Sequence, residues 1–186
     1  MRALAFIFLA ACGAGAAGVD AGGGTGGGDG GAGEPVDAGE NEIVRAHNAV
    51  RARAMPEPMP ALPPMSWHEG AAAVAAAYAE QCRFVHNPNL GNAYGENLYA
   101  AYGDSPTATE VVESWASEVR NYDLANNTCA GVCGHYTQIV WRTSVGVGCA
   151  SKVCDTNSPF GANRSPWVLW VCDYAPPGNQ VGRRPY

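Results

Sequence analysis

The chain has 186 residues, 47% of them hydrophobic, and a formal net charge of −6, a length that holds one domain plus a further segment. Five acids precede residue 41, leaving 12 acids against 10 bases after it. With a single Lys and no clustered bases, that balance excludes a nucleic-acid-binding surface.

Residues 1–12 read as an export signal. Arg2 supplies positive charge and Ala3 to Ala11 an apolar run, which at nine residues is too short to span a bilayer. It ends Leu9-Ala10-Ala11-Cys12, which looks like a bacterial lipobox and makes Cys12 the expected lipid anchor. Ordinary cleavage near Ala14-Gly15-Ala16, with Cys12 discarded, is the other reading. Residues 13–40 hold 13 of the 24 glycines. Such a stretch buries too little surface to offset its ordering entropy, so it reads as a flexible tether.

From Glu42 the pattern turns helical: Ile43, Ala46, Ala49 and Val50 share a face to Arg53, with Asn41 placed to cap. Pro56, Pro58, Pro60, Pro63 and Pro64 end it. Ser66 is placed to cap an Ala-rich second helix over 67–84. Residues 86–102, with many Asn, Gly and Pro, read as loop. A third helix opens at Ser105-Pro106 and runs to about Asn121, with Val111, Val112, Trp115 and Val119 on one face. After a loop over 121–134, residues 135–141 form a short apolar helix. Residues 145–153 and 166–174 read as strands. Helices before and between two late strands predict an α+β sandwich.

Apart from Cys12 there are six cysteines: Cys82, Cys129, Cys133, Cys149, Cys154 and Cys172. An even number in an exported domain implies three disulfides, and the count alone leaves the pairing open. A zinc site from Cys149 and Cys154, or from Cys129 and Cys133, is the alternative, although neither pair has the two-residue gap of zinc knuckles.

The segments Phe84-Val85-His86, Gly95-Glu96-Asn97-Leu98, Trp115-Ala116-Ser117-Glu118 and Gly134-His135-Tyr136-Thr137-Gln138-Ile139-Val140-Trp141 are followed by Gly146-Val147-Gly148-Cys149-Ala150. Val171-Cys172-Asp173-Tyr174-Ala175-Pro176-Pro177-Gly178-Asn179 completes the series. In this order and spacing, residues 41–186 resemble the CAP superfamily: cysteine-rich secretory (SCP-like) proteins, venom antigens and, most nearly, plant pathogenesis-related proteins. The resemblance implies a three-layer α-β-α sandwich. It implies bridges Cys82–Cys154, Cys149–Cys172 and Cys129–Cys133, and a cleft built from His86, Glu96, Glu118 and His135. It also implies that the loop after the first helix, here the Pro-rich run Pro58–Pro64, can border a lipid-binding cavity; a plain cover over the core is the other reading of that run.

Read from the residues, the four cleft groups each adjoin apolar neighbours, where an unpaired charge is costly. Convergence lets two neutral imidazoles hold a divalent cation such as zinc, with the carboxylates as ligands or as partners orienting the rings. Without metal, the four form a structural hydrogen-bond network. His47 reads as a packing residue and His68 as solvated. Tyr136, Thr137 and Gln138 read as supports of the cleft, and residues 176–186 as a wrap over the fold. The expected function is binding of a lipid or sterol-like molecule, or of an envelope partner, by an extracellular or envelope-tethered bacterial lipoprotein. A metal-dependent hydrolase using Glu96 or Glu118 as base is one alternative; a structural or antimicrobial envelope module is another. Neither HExxH nor Gly-x-Ser-x-Gly occurs in the chain.

Overall fold

The computed structural model describes residues 38–186. The export signal, Cys12 and most of the tether lie outside the described residues. Helix α1 (Ala38–Ala52) is followed by strand β1 (Ser66–Trp67), helix α2 (Glu69–Ala79), strand β2 (Gly95–Tyr102) and helix α3 (Ala108–Ala116). A 3-10 turn (Ser117–Asn121) leads to strands β3 (Tyr122–Asp123) and β4 (Thr128–Cys129), helix α4 (Gly134–Ile139), and strands β5 (Gly146–Cys154) and β6 (Trp167–Ala175).

The main sheet runs β1-β5-β6-β2, with β1 parallel to β5 and the other pairs antiparallel. Side chains alternate across a strand, and β6 uses both faces. Trp167, Leu169 and Val171 pack with Ala75, Tyr78 and Ala79 of α2. Cys172 and Tyr174 pack with Ile43 and Val50 of α1, Val112 and Trp115 of α3, and Ile139 of α4. The result is the expected three layers, α2 on one side and α1, α3 and α4 on the other. The layers touch closely: a Cβ at Gly148 would lie 2.1 Å from the Ala72 backbone nitrogen, so β5 needs a residue without a side chain there.

All three bridges form as the resemblance implied, which leaves no cysteine among the described residues free for zinc. Cys82–Cys154 ties the end of α2 to the end of β5, and Cys149–Cys172 joins directly opposed residues of β5 and β6. Arg51 is buried and carries no carboxylate partner among the described residues. Its guanidinium donates to the carbonyls of Pro63, Ile139 and Trp141 at 2.7–2.9 Å, fastening the Pro-rich loop to α4. Burial pushes it down to about 10. Arg142 donates to Pro60 and Ala61 of the same loop.

Several expectations need correction: α1 begins at Ala38, so Asn41 lies inside the helix and does not cap it, and α2 ends at Ala79, short of 84. Ser66 does not cap a helix: its N–H donates to Val145 and that of His68 to Val147, so β5 captures this stretch as a strand. His68 is not merely solvated, because its Nδ1 accepts from the Ala71 N–H at 3.0 Å and caps α2. The end of the expected loop is strand β2, paired along its whole length with β6; burial against a neighbouring strand outweighs the weak local propensity of its Gly and Asn. The third helix is also shorter than expected. A capping box of Thr107 and Glu110 opens it, and it tightens into the 3-10 turn after Ala116.

Candidate functional site

Glu96 and Asn97 are consecutive on β2, so they project to opposite faces of the sheet. Glu96 belongs to the α2 face. Its Oε1 lies 2.7 Å from His86 Nδ1 and accepts the Asn87 N–H at 2.9 Å. The His86 side chain is 68% exposed and that of Glu96 only 3%. The hydrogen bond to Glu96 raises the His86 pKa against the lowering effect of burial.

Directly opposite Glu96 in the register stands Asp173, which the sequence reading passed over. Asp173 is fully buried, and neither its oxygens nor Glu96 Oε2 have a hydrogen-bond partner. Burial first, and the Glu96 charge second, push Asp173 up to about 8. Two carboxyls side by side in a dry site cannot both ionise cheaply, so Asp173 is held neutral at neutral pH. The available signal was the period of two: Trp167, Leu169 and Val171 share one buried face, and Asp173 is the next residue on it.

The second pair is carried by the 3-10 turn and α4. His135 opens α4, and its Nδ1 lies 2.6 Å from Glu118 Oε1. Glu118 Oε2 accepts the N–H groups of His135 and Tyr136 at 3.0 and 3.3 Å. Trp115 stacks on the His135 ring with centroids 6.0 Å apart, and its own Nε1 donates to Leu98 O.

A buried chain of hydrogen bonds supports this pair from α1, and its directions are fixed by elimination. Ile43 O can only accept, so His47 Nδ1 carries the proton. His47 Nε2 therefore accepts from the Tyr174 hydroxyl. That hydroxyl in turn accepts from Asn97 Nδ2, whose other N–H donates to His135 O at 3.2 Å. Burial lowers His47 to about 4, which keeps it neutral. His47 is thus more than packing. Gln138 and Thr137 are supports, as expected. Gln138 Oε1 accepts the Gly178 N–H, and Thr137 Oγ1 donates to Asn179, fastening the C-terminal segment to α4. That segment also wraps back through Pro185 O to the Arg142 N–H and through Arg184 to Leu124 and Ala125.

The four predicted residues therefore come together as two pairs linked by β2. Among the described residues no three His, Cys, Asp or Glu side chains group closely enough to hold a metal ion. Each imidazole is held at Nδ1, and its Nε2 has no protein partner among the described residues. Neither carboxylate has an oxygen free to act as base: three of the four oxygens are hydrogen-bonded and Glu96 Oε2 is sealed from solvent. An open, polar cleft of about 670 Å³ adjoins Glu96, bordered by Tyr94, Gln138 and Pro177.

A groove of about 390 Å³ runs between α1 and α3. Val50, Ala54, Met55, Ala116 and Val119 give it an apolar lining, and Arg53 and Glu113 pair across its rim. Tyr136 closes it from α4; its hydroxyl is buried beside Tyr186. Ser117 and Val119, on either side of Glu118, also line it, so groove and second pair share a wall.

Comparison with known proteins adds an independent line. The family model described as CAP, the cysteine-rich secretory protein family, matches residues 44–174. A pathogenesis-related protein 1 from Arabidopsis thaliana is 41% identical over 149 residues, covering 78% of this chain and 81% of the relative. Pathogenesis-related protein 1B from Nicotiana tabacum is 42% identical over 153 residues, covering 79% and 80%. Among solved structures, venom allergen-like protein 4 of Schistosoma mansoni superposes with a TM-score of 0.63 at 29% identity, covering 81% of this chain and 95% of that one.

Proposed function

The chain belongs to the CAP family of cysteine-rich secretory proteins, and from that premise we propose that it is an exported binding protein whose α1–α3 groove takes the apolar part of a lipid. The groove carries this reading. It is lined by aliphatic side chains on helices fixed by the core and by Met55 in the connection after α1, while none of Pro58–Pro64 lines it. Met is an adaptable lining for an irregular apolar ligand. Most of the remaining loop covers the core instead, with Leu62 packed inward. At the inner end the buried Tyr136 hydroxyl can pair with a polar head group. Mass spectrometry of natively purified protein tests this: a co-purifying lipid is expected, released on denaturation. Protein stripped of nothing and retaining nothing would count against it.

The two His pairs favour a second role for the same domain. A carboxylate on Nδ1 fixes an imidazole's tautomer and leaves Nε2 available, the arrangement that orients metal-bound histidines. His86 and His135 are the residues that fit a divalent cation such as zinc, with Glu96 and Glu118 orienting them. Bound there, the ion would supply a fixed positive charge beside the groove's shared wall. Ligation needs neutral imidazole, and Glu96 makes His86 easier to protonate, so affinity should fall as pH drops through the histidine range. Calorimetric titration of zinc into wild type and a His86→Ala/His135→Ala variant decides it: equal binding by both refutes the assignment.

The N-terminal stretch supports tethering outside a bacterial membrane through Cys12. A Cys12→Ser variant should lose partitioning with membranes while folding normally; wild type already wholly soluble in the medium would contradict the anchor.

A further inference from the structure

The bridge Cys129–Cys133 differs from the other two in place and in what it holds. Cys82–Cys154 and Cys149–Cys172 span separations of 72 and 23 residues, and Cys82, Cys154 and Cys172 lie buried in the core. Cys129–Cys133 spans a separation of 4. Cys133 is buried as Cys82 is, but Cys129 and the intervening Ala130, Gly131 and Val132 are exposed. A short loop loses little freedom when closed, so this bridge restrains the unfolded chain least. Its exposed sulfur is also the one an incoming thiolate can reach.

The segment it closes is a strap. Asn121, at the end of the 3-10 turn, is fastened to it twice: its carbonyl accepts the Ala130 N–H and its Nδ2 donates to Val132 O, both at 2.8 Å. At the far end Cys133 precedes α4, and its carbonyl accepts the Thr137 N–H. One end thus holds the turn that carries Glu118, and the other the helix that carries His135.

We propose that Cys129–Cys133 is an exchangeable bridge, opened by an external dithiol, and that opening it loosens Glu118 from His135. A donor thiolate attacks Cys129 Sγ; the Cys129–Cys133 bond breaks, and Cys133 leaves as thiolate and takes a proton from solvent. The donor's second thiolate then attacks the mixed disulfide and releases Cys129, which is protonated in turn. Two electrons pass to the protein, and the donor departs as its own disulfide. The inference holds whatever the cleft or groove binds, because it is read from the Glu118 contact itself.

The test uses the full chain in rising dithiothreitol, with alkylation and peptide mapping of the six domain cysteines. Amide hydrogen exchange is measured at each step. Cys129 and Cys133 should become alkylated at reductant concentrations at least tenfold below those that open either other bridge. At that stage the His135 and Tyr136 amides should exchange at least tenfold faster, while those of Val147 and Val171 stay protected. A Cys129→Ser/Cys133→Ser variant should show the same local change without reductant; should it fail to fold, the partly reduced wild type decides alone. Opening of Cys149–Cys172 or Cys82–Cys154 at the same or lower concentration would overturn the proposal. So would unchanged His135 and Tyr136 exchange in protein whose Cys129–Cys133 bridge is open.

Discussion

His135 lies beneath the ring of Trp115, and both oxygens of its partner Glu118 are taken by the imidazole and two backbone amides. His86 stands in solvent on a loop, while its partner Glu96 is buried with one oxygen unpartnered and a second carboxyl directly opposite. The same two side-chain types are thus held in different ways. Around Glu118 and His135 the partners are numerous and the geometry is fixed by helices. Around Glu96 a buried charge is held against a neighbouring acid that must keep its proton. The lesson is that an imidazole–carboxylate distance near 2.6–2.7 Å says little about stability until the other oxygen of the carboxylate is accounted for.

The largest expected effect sharpens the acid side of this contrast. The Asp173 pKa is raised, so the unfolded chain ionises near 4 and the folded chain only near 8. Folding takes up a proton across that window, and stability falls as pH rises through it. His47 acts in the opposite sense: lowered to about 4, it contributes stability that is lost as pH falls from about 6.5 to 4. The two slopes offset each other below about 6.5, leaving a decline above it. Asp173→Asn should remove that decline and stabilise the protein by about 5 kcal/mol at pH 8, with little change at pH 4. Urea unfolding at both pH values measures it; a variant no more stable than wild type at pH 8 would show that Asp173 is ionised in the fold.

Truncating the carboxylates comes next. Glu118→Ala leaves the His135 and Tyr136 amides and the imidazole without their acceptor, an expected loss of about 2–3 kcal/mol. Glu96→Ala also removes hydrogen bonds but relieves Asp173, so its cost should stay under about 1 kcal/mol. Denaturant midpoints that reverse this order would break the comparison. Trp115→Phe, which deletes the donor to Leu98 O and reduces the stack on His135, should cost about 1 kcal/mol. His86→Ala should cost about 0.5–1 kcal/mol, because His86 is exposed but the Glu96 oxygen it leaves is buried.

Much of this was legible in the sequence, for reasons specific to each element. The first and third helices, the two late strands and the four cleft residues lie in segments whose apolar period or motif spacing is strong. Strand β2 was hidden because only pairing with β6 makes Gly95-Glu96-Asn97 extended. His68 looked solvated because its capping role depends on where β1 ends, and β1 exists only by pairing with β5. Asp173 was missed for a similar reason: its consequence comes from Glu96, which is 77 positions away in the chain and directly opposite in the sheet. Signals that are local in sequence survived; those created by strand pairing did not.

The groove between α1 and α3 is the central functional claim, and titration with a fluorescent fatty acid tests it most directly. Ser117 is exposed at the groove wall, so Ser117→Trp fills the space without disturbing the core. Wild type should bind the probe saturably, one per chain, and the variant at least tenfold more weakly with unchanged unfolding. Absence of saturable binding, or equal affinity in both proteins, would contradict the account.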